Sequence, residues 1–243
     1  MRQRRNRRPI NWTPVLWTAL IFNVIAALFY SRVTSIILVR VEGVAPDDRA
    51  RVQALLQRIH DQPALNLNRY AVESWMQERS AVANADLSRN IFGRARLRLT
   101  YRRPVAAVRG LNHAYLSREG VIFQTEGISG ELPIVKLPPE AEQPIVTIAG
   151  AWRAAEVGAL CAAINDLGQG QRVEIAPSET GGLCLNIGSK FAVQLGLPDQ
   201  LDAKVDYLRK QIEDDPSLIQ SGRTLNLVSI ERPSYKQGVD RIK

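Results

Sequence analysis

The sequence predicts an α+β protein: a single N-terminal transmembrane helix, then a β-α-α-β-β unit, then a mixed β-rich domain with two helices. Three observations carry this. Residues 9–31 form a run of 23 residues without a charge. Residues 36–108 pass from the period of a strand to that of an amphipathic helix and back again. The rest is divided into short strand-like runs among glycines and prolines, interrupted by two segments of helical period.

The uncharged run, "PINWTPVLWTALIFNVIAALFYS", comes first. A membrane span needs about 20 apolar residues. Trp12, Trp17 and Tyr30 lie near its ends, where amphipathic rings favour the headgroup level. Pro14 stands near the start, where a helix tolerates it, and Asn23 is the mid-span polar residue. A cleaved signal peptide is the rival, but the apolar stretch is long for one and "AALFYSRV" makes a poor cleavage site. The expected span is 11–31. Residues 1–8 hold five arginines and no acid, so the positive-inside bias places a tail of residues 1–10 in the cytoplasm. The expected location is the cytoplasmic (inner) membrane, single-pass, with the bulk of the chain outside the cytoplasm.

"SIILVRVEGV" (35–44) is β-branched and reads as a strand closed by Gly43. Pro46, Asp47 and Asp48 suit a helix start, and Val52, Leu55, Leu56 and Ile59 follow at i, i+3, i+4, i+7. Pro63 stops that helix. Asn68 can cap a second, in which Val72, Trp75 and Met76 share a face. "SAVANADLSRN" reads as a strand and "NIFG" as a turn. In "ARLRLTYRRPVAAV" (95–108), Ala95, Leu97, Leu99 and Tyr101 fall on one side of the next strand. Arg94, Arg96, Arg98, Thr100 and Arg102 fall on the other. Both helices have one apolar face, so they should cover one side of a small sheet. The arginine ladder then lies on the open side, as solvated charge or as a surface for something acidic.

In the second half, "HAYLSREGVIFQ" reads as a hairpin turning at 118–120. Short strands are expected at 132–137, 144–148, 172–175, 183–187 and 190–195. Residues 152–167 form a helix with Val157, Leu160, Cys161 and Ile164 in register and Gly168 at its stop. Pro198 opens another, aligning Leu201, Val205, Leu208 and Ile212. "RTLNLVSIERP" is the expected last strand. The two units should join near Gly110.

The net charge of +8 invites a nucleic-acid reading. Without residues 1–8 only +3 remains, which removes that signal. No catalytic constellation assembles: G-x-S-x-G, H-E-x-x-H and Cys/His pairs at suggestive spacing are absent, and "LGQGQR" lacks the strand-Gly-helix context of a phosphate site. No enzyme activity, cofactor, metal site or small-molecule substrate is expected. Cys161 reads as core-facing and Cys184 as mid-strand, two buried free thiols, although an oxidising compartment would permit a disulfide.

Taken together, the chain resembles the bacterial cell-division protein family FtsQ/DivIB. The resemblance rests on "VEGV" (41–44), "YRRPVAAV" (101–108), "LSREGVIF" (116–123) and "LGLPDQLDAKVDYLRKQI" (195–212), in that order after an apolar N-terminal segment. Tyr101 and Ser117 stand where an acid and an aspartate are usual. The resemblance implies a POTRA domain over 35–109, a β-domain over 110–235 and a C-terminal tail over 236–243. It implies a divisome scaffold at the division septum that links early and late division proteins. FtsB-like and FtsL-like partners would bind through the last strand of the β-domain, and other divisome proteins through the POTRA domain.

An exposed last strand suits strand addition, because it offers unpaired N–H and C=O groups. The candidate partner-binding residues are Lys204, Leu227, Ser229, Glu231 and Arg232. The usual D-x-R of the last strand is missing, and Glu231 would reverse a charge there. Other readings are a POTRA-bearing envelope protein acting in protein export or outer-membrane assembly, and an envelope-anchored glycan binder or enzyme.

Overall fold

The computed structural model describes residues 12–30, 34–90, 92–126, 128, 130–138, 147–167, 170–178 and 181–237. The arginine-rich residues 1–8, the tail beyond Gln237, Gly168 and residues 144–146 of one expected strand lie outside these. The chain divides into two compact units, Met1–Tyr101 and Arg102–Lys243.

The first helix, α1 (Thr13–Tyr30), has 18 residues. At about 1.5 Å per residue it rises about 27 Å, short of a hydrocarbon core about 30 Å thick. Thr18 Oγ1 donates to Pro14 O at 2.8 Å and Asn23 Nδ2 to Ala19 O at 3.0 Å, so its polar side chains bond along their own helix. Among the described residues no helix is long and apolar enough to cross a membrane. This corrects the expected span at 11–31 and, with it, the single-pass location in the cytoplasmic membrane. The run of uncharged residues reads as one span over 11–31, whereas the described helix covers Thr13–Tyr30.

The rest of unit one is the β-α-α-β-β arrangement: β1 (Leu38–Glu42), α2 (Arg49–Ile59), α3 (Arg69–Gln77), β2 (Val82–Arg89) and β3 (Arg94–Tyr101). The sheet order is β1-β3-β2, with β1 parallel and β2 antiparallel to β3. Asn68 caps α3 as the sequence suggests, its Oδ1 taking the Ala71 N–H at 3.2 Å. The core joins Val52, Leu55 and Ile59 of α2, Val72 and Met76 of α3, and Leu87, Ala95, Leu97 and Leu99 of the sheet. Asp48 stands at the start of α2, where the sequence places it, and does more than face the helix dipole. Its carboxylate is buried and pairs with Arg79, and its second oxygen and the Tyr101 hydroxyl are buried without a hydrogen-bond partner among the described residues. Burial, then the Asp48 carboxylate beside it, pushes the Tyr101 phenol up to about 12.

Unit two is built on nine strands in the order β14-β13-β12-β11-β10-β7-β4-β5-β6. These are β4 (Pro104–Arg109), β5 (Ala114–Ser117), β6 (Ile122–Gln124), β7 (Ile134–Lys136), β10 (Val173–Pro177), β11 (Leu183–Ile187), β12 (Phe191–Gly196), β13 (Arg223–Asn226) and β14 (Ser234–Gln237). A separate pair joins β8 (Thr147–Ala149) to β9 (Trp152–Arg153). Two helices, α4 (Ala154–Ile164) and α5 (Leu201–Asp214), complete the unit. Val157, Leu160, Cys161 and Ile164 of α4 and Val205, Leu208 and Ile212 of α5 share one core with Leu185, Val193 and Leu225 of the sheet.

Two boundaries are corrected. β4 pairs with β5 and β7, so 102–109 belongs to the second unit rather than to a first domain ending at 109. The expected tail from 236 begins inside β14. Ser117 organises the β5–β6 turn: its Oγ accepts the Val121 N–H at 3.2 Å and its carbonyl the Gly120 N–H at 3.0 Å.

Neither cysteine is in a disulfide among the described residues. Cys161 lies in the α4 core, whereas Cys184 lies between Leu183 and Leu185, on the opposite face of β11. Burial pushes the Cys161 thiol up to about 12. Thiol titration of the folded protein should therefore show no alkylation of Cys161, and of the unfolded protein two free thiols without reductant. A disulfide between them would contradict the strand register. The two faces of β3 give a second expectation. Leu97→Ala should lower stability to urea by about 2–5 kcal/mol, and Arg98→Ala by under about 1 kcal/mol.

Candidate functional site

The last third of unit two carries all five residues singled out for partner binding. β12 ends at Gly196, the chain turns through residues 197–200, and α5 begins at Leu201. Lys204 sits on the first turn of that helix and is 1% exposed. Its Nζ donates to Leu195 O, to Leu197 O and to Asp199 Oδ1, each at 2.9 Å. Trp152, also fully buried, donates its indole N–H to Gly196 O at 2.6 Å. Three consecutive carbonyls, 195 to 197, are thus each taken by a buried side chain.

An ammonium out of water is costly unless every proton finds an acceptor, and here the three protons find three. The partner carboxylate feels it: the hydrogen bond from Lys204 holds Asp199 below its usual range. Gly196 has φ +64, and a Cβ there would lie 3.0 Å from Val228 Cα, so glycine is required by conformation and by the close approach of the next segment.

That next segment follows β13. Leu227 donates its N–H to Gln194 O at 2.8 Å and its side chain is fully buried. The Asn226 side chain then accepts the Val228 N–H at 3.0 Å, a local bond that bends the chain out of the strand. The expected strand over "RTLNLVSIERP" therefore stops at Asn226. Ser229, Glu231 and Arg232 lie in the exposed connection that follows, and Ser229 O accepts the Arg232 N–H at 3.4 Å. The chain returns as β14, antiparallel to β13 with Leu225 opposite Tyr235.

The five residues separate accordingly. Lys204 and Leu227 are internal supports and present nothing to a partner. Ser229, Glu231 and Arg232 are exposed but sit in a turn, so no strand can be added at their backbone. Sequence reading missed β14, whose four residues are all exposed. It ends the sheet, so its outer N–H and C=O groups have no strand partner among the described residues. On this strand Tyr235 is 41% exposed, and Val228 (50%) and Leu197 (56%) are exposed where the chain leaves β13 and β12. Tyr235 donates to Gln211 Oε1 at 2.7 Å, which ties β14 to α5. The signal for the break was present in Asn226 and Pro233, two residues that interrupt strands.

Other chemistry is sparse. Among the described residues no group of three His, Cys, Asp or Glu side chains could hold a metal. A cleft of about 660 Å³ is lined in part by Tyr115, Glu131, Asp166 and Arg172, charges of mixed sign with no nucleophile–base pair. No family model matches the chain, and no curated protein matches it.

Lys204→Met should cost about 2–4 kcal/mol in denaturant unfolding, because it orphans two carbonyls. Asp199→Asn should cost less, since its carboxylate stands at the surface. The sign of its pH dependence follows from a depressed folded-state pKa. The wild-type advantage over Asp199→Asn is full above the ordinary value of 3.8 and closes as pH falls through the lower folded value. An advantage that grows in acid would refute the Lys204–Asp199 bond.

Proposed function

We propose that this chain is a non-enzymatic cell-division scaffold of FtsQ/DivIB type, which binds FtsB-like and FtsL-like proteins by adding a partner strand at the last strand of its second unit. The observation that supports the reading is the β14 edge, which no other strand covers among the described residues, with Tyr235 exposed on it and Val228 and Leu197 exposed at the ends of the two strands behind it. Backbone groups of such an edge supply hydrogen bonds to any extended chain, and the neighbouring side chains choose among them. The sequence motifs from "VEGV" to "LGLPDQ", in that order, supply the family. The β-α-α-β-β unit is of POTRA kind in element order, and β4 to β14 would form the β-domain. In this reading the connection carrying Ser229, Glu231 and Arg232 borders the docking edge and tunes partner choice by charge. Lys204 and Leu227 hold the platform from beneath.

Depletion of the protein in its host should give long undivided cells. Purified full chain should capture the host's FtsB-like protein. Leu197→Asp and Val228→Asp should each weaken that capture by about tenfold without lowering the melting temperature by more than a few degrees. Amide exchange at Ser234–Gln237 should slow in the complex. Normal division on depletion would sink the scaffold reading. Unchanged exchange at β14 would sink strand addition while leaving the scaffold in place.

A further inference from the structure

The open face of the three-stranded sheet in unit one carries a second surface. Alternation places Leu38, Arg40 and Glu42 of β1, Arg94, Arg96, Arg98 and Thr100 of β3, and Asn84, Asp86 and Ser88 of β2 on the side away from α2 and α3. In register Leu38 lies beside Arg94, Arg40 beside Arg96, and Glu42 beside Arg98. On the other flank Ser88 faces Arg96 and Asp86 faces Arg98.

The ladder is therefore not uniform. Arg98 has an acid in register on either side, Glu42 and Asp86, which would repel an incoming carboxylate although neither forms an ion pair with Arg98 among the described residues. At the other end Arg40, Arg94 and Arg96 form a cationic pole with one carboxylate among them. A single oxygen of that carboxylate, Glu42 Oε1, serves both Arg40 Nε and Arg96 Nη2, each at 3.1 Å. Asp86 is drawn the other way, toward Arg69 at 3.5 Å. Arg94 has no ion pair among the described residues, and Leu38 beside it is 61% exposed.

We propose that this pole, Arg40, Arg94 and Arg96 with Leu38, is a docking surface for an extended acidic segment of a partner protein. Alternate side chains of β3 lie about 6.8 Å apart. An extended peptide with acids at alternate positions has the same repeat, so two carboxylates meet Arg94 and Arg96 together. Each guanidinium offers a fork of donors that one carboxylate can fill. Covering Leu38 excludes water beside the Arg94 pair and strengthens it. A nucleic acid or an anionic lipid surface fits less well, because phosphates spread over the whole face would also meet Glu42 and Asp86. The proposal does not depend on the division-scaffold reading.

The test uses the full chain and a fluorescent peptide of alternating glutamate and valine, followed by anisotropy. Binding is expected, and it should weaken steadily with added salt. Arg94→Gln together with Arg96→Gln should reduce affinity by about tenfold, and Arg98→Gln by no more than about twofold, with melting unchanged. A peptide of the same composition with its glutamates in one block should bind more weakly, and the lysine counterpart should not bind; neither arm needs a variant. Absence of binding, equal binding of the blocked peptide, or equal loss from Arg98→Gln would overturn the proposal. So would tighter binding of a short single-stranded DNA or of vesicles containing anionic lipid.

Discussion

The second unit depends on one buried ammonium. Lys204 reaches back from α5 to close the end of β12, and Trp152 reaches the same stretch from β9. Between them they hold three consecutive carbonyls that would otherwise be buried or half-buried without donors. The consequence is geometric as much as energetic. Gly196 is fixed in a left-handed conformation, Val228 lies against it, and Leu197 is turned outward. A flexible turn there would let Leu197 fold back onto the core, as apolar side chains tend to do. Leu197 stays exposed at the end of β12 because the carbonyls of residues 195 to 197 are each matched by a buried donor.

Period decided which parts of the fold could be read from sequence. Strict alternation in "ARLRLTY" separates Leu97 from Arg98 by face, and the structure buries the first and exposes the second. Heptad-like spacing marked α2 and α3, and Asn68 marked a cap. What period cannot show is where a chain of similar texture changes sheets. Tyr101 and Pro104 are three residues apart, yet β3 and β4 belong to different units. Arg102 and Arg103 continue the ladder's composition but not its strand. The same blindness produced one long last strand where Asn226 bends the chain and β14 pairs back upon β13.

Lys204 shows a different limit. A lysine on an amphipathic helix is read as solvated, since its charge favours water. Whether it turns inward depends on three acceptors contributed by residues 195, 197 and 199, and two of them are backbone carbonyls that carry no sequence identity. Only the loop geometry makes them converge. Ser117 belongs to the same class. Its hydroxyl accepts the Val121 N–H across the β5–β6 turn, a contact that only the turn's geometry creates. α1 marks the limit of composition alone: an uncharged stretch fixes neither the length of a helix nor where it starts.

A sheet can receive another chain in two ways, and the two units present one each. The β14 edge offers backbone groups, which bind any extended segment and so supply affinity with little selectivity. The face of β3 offers side chains in a fixed order, with a cationic pole at Arg94 and an acid-flanked position at Arg98. Exposed single charges contribute little to stability, so such an order is not needed to hold the strand in place. The fold requires Ala95, Leu97 and Leu99 on the inner face and leaves the outer face free. Freedom of that kind is where recognition can be written without cost to the core. The shared oxygen of Glu42 is the physical sign of it, since two guanidiniums compete for an acceptor that a third carboxylate-bearing chain could relieve.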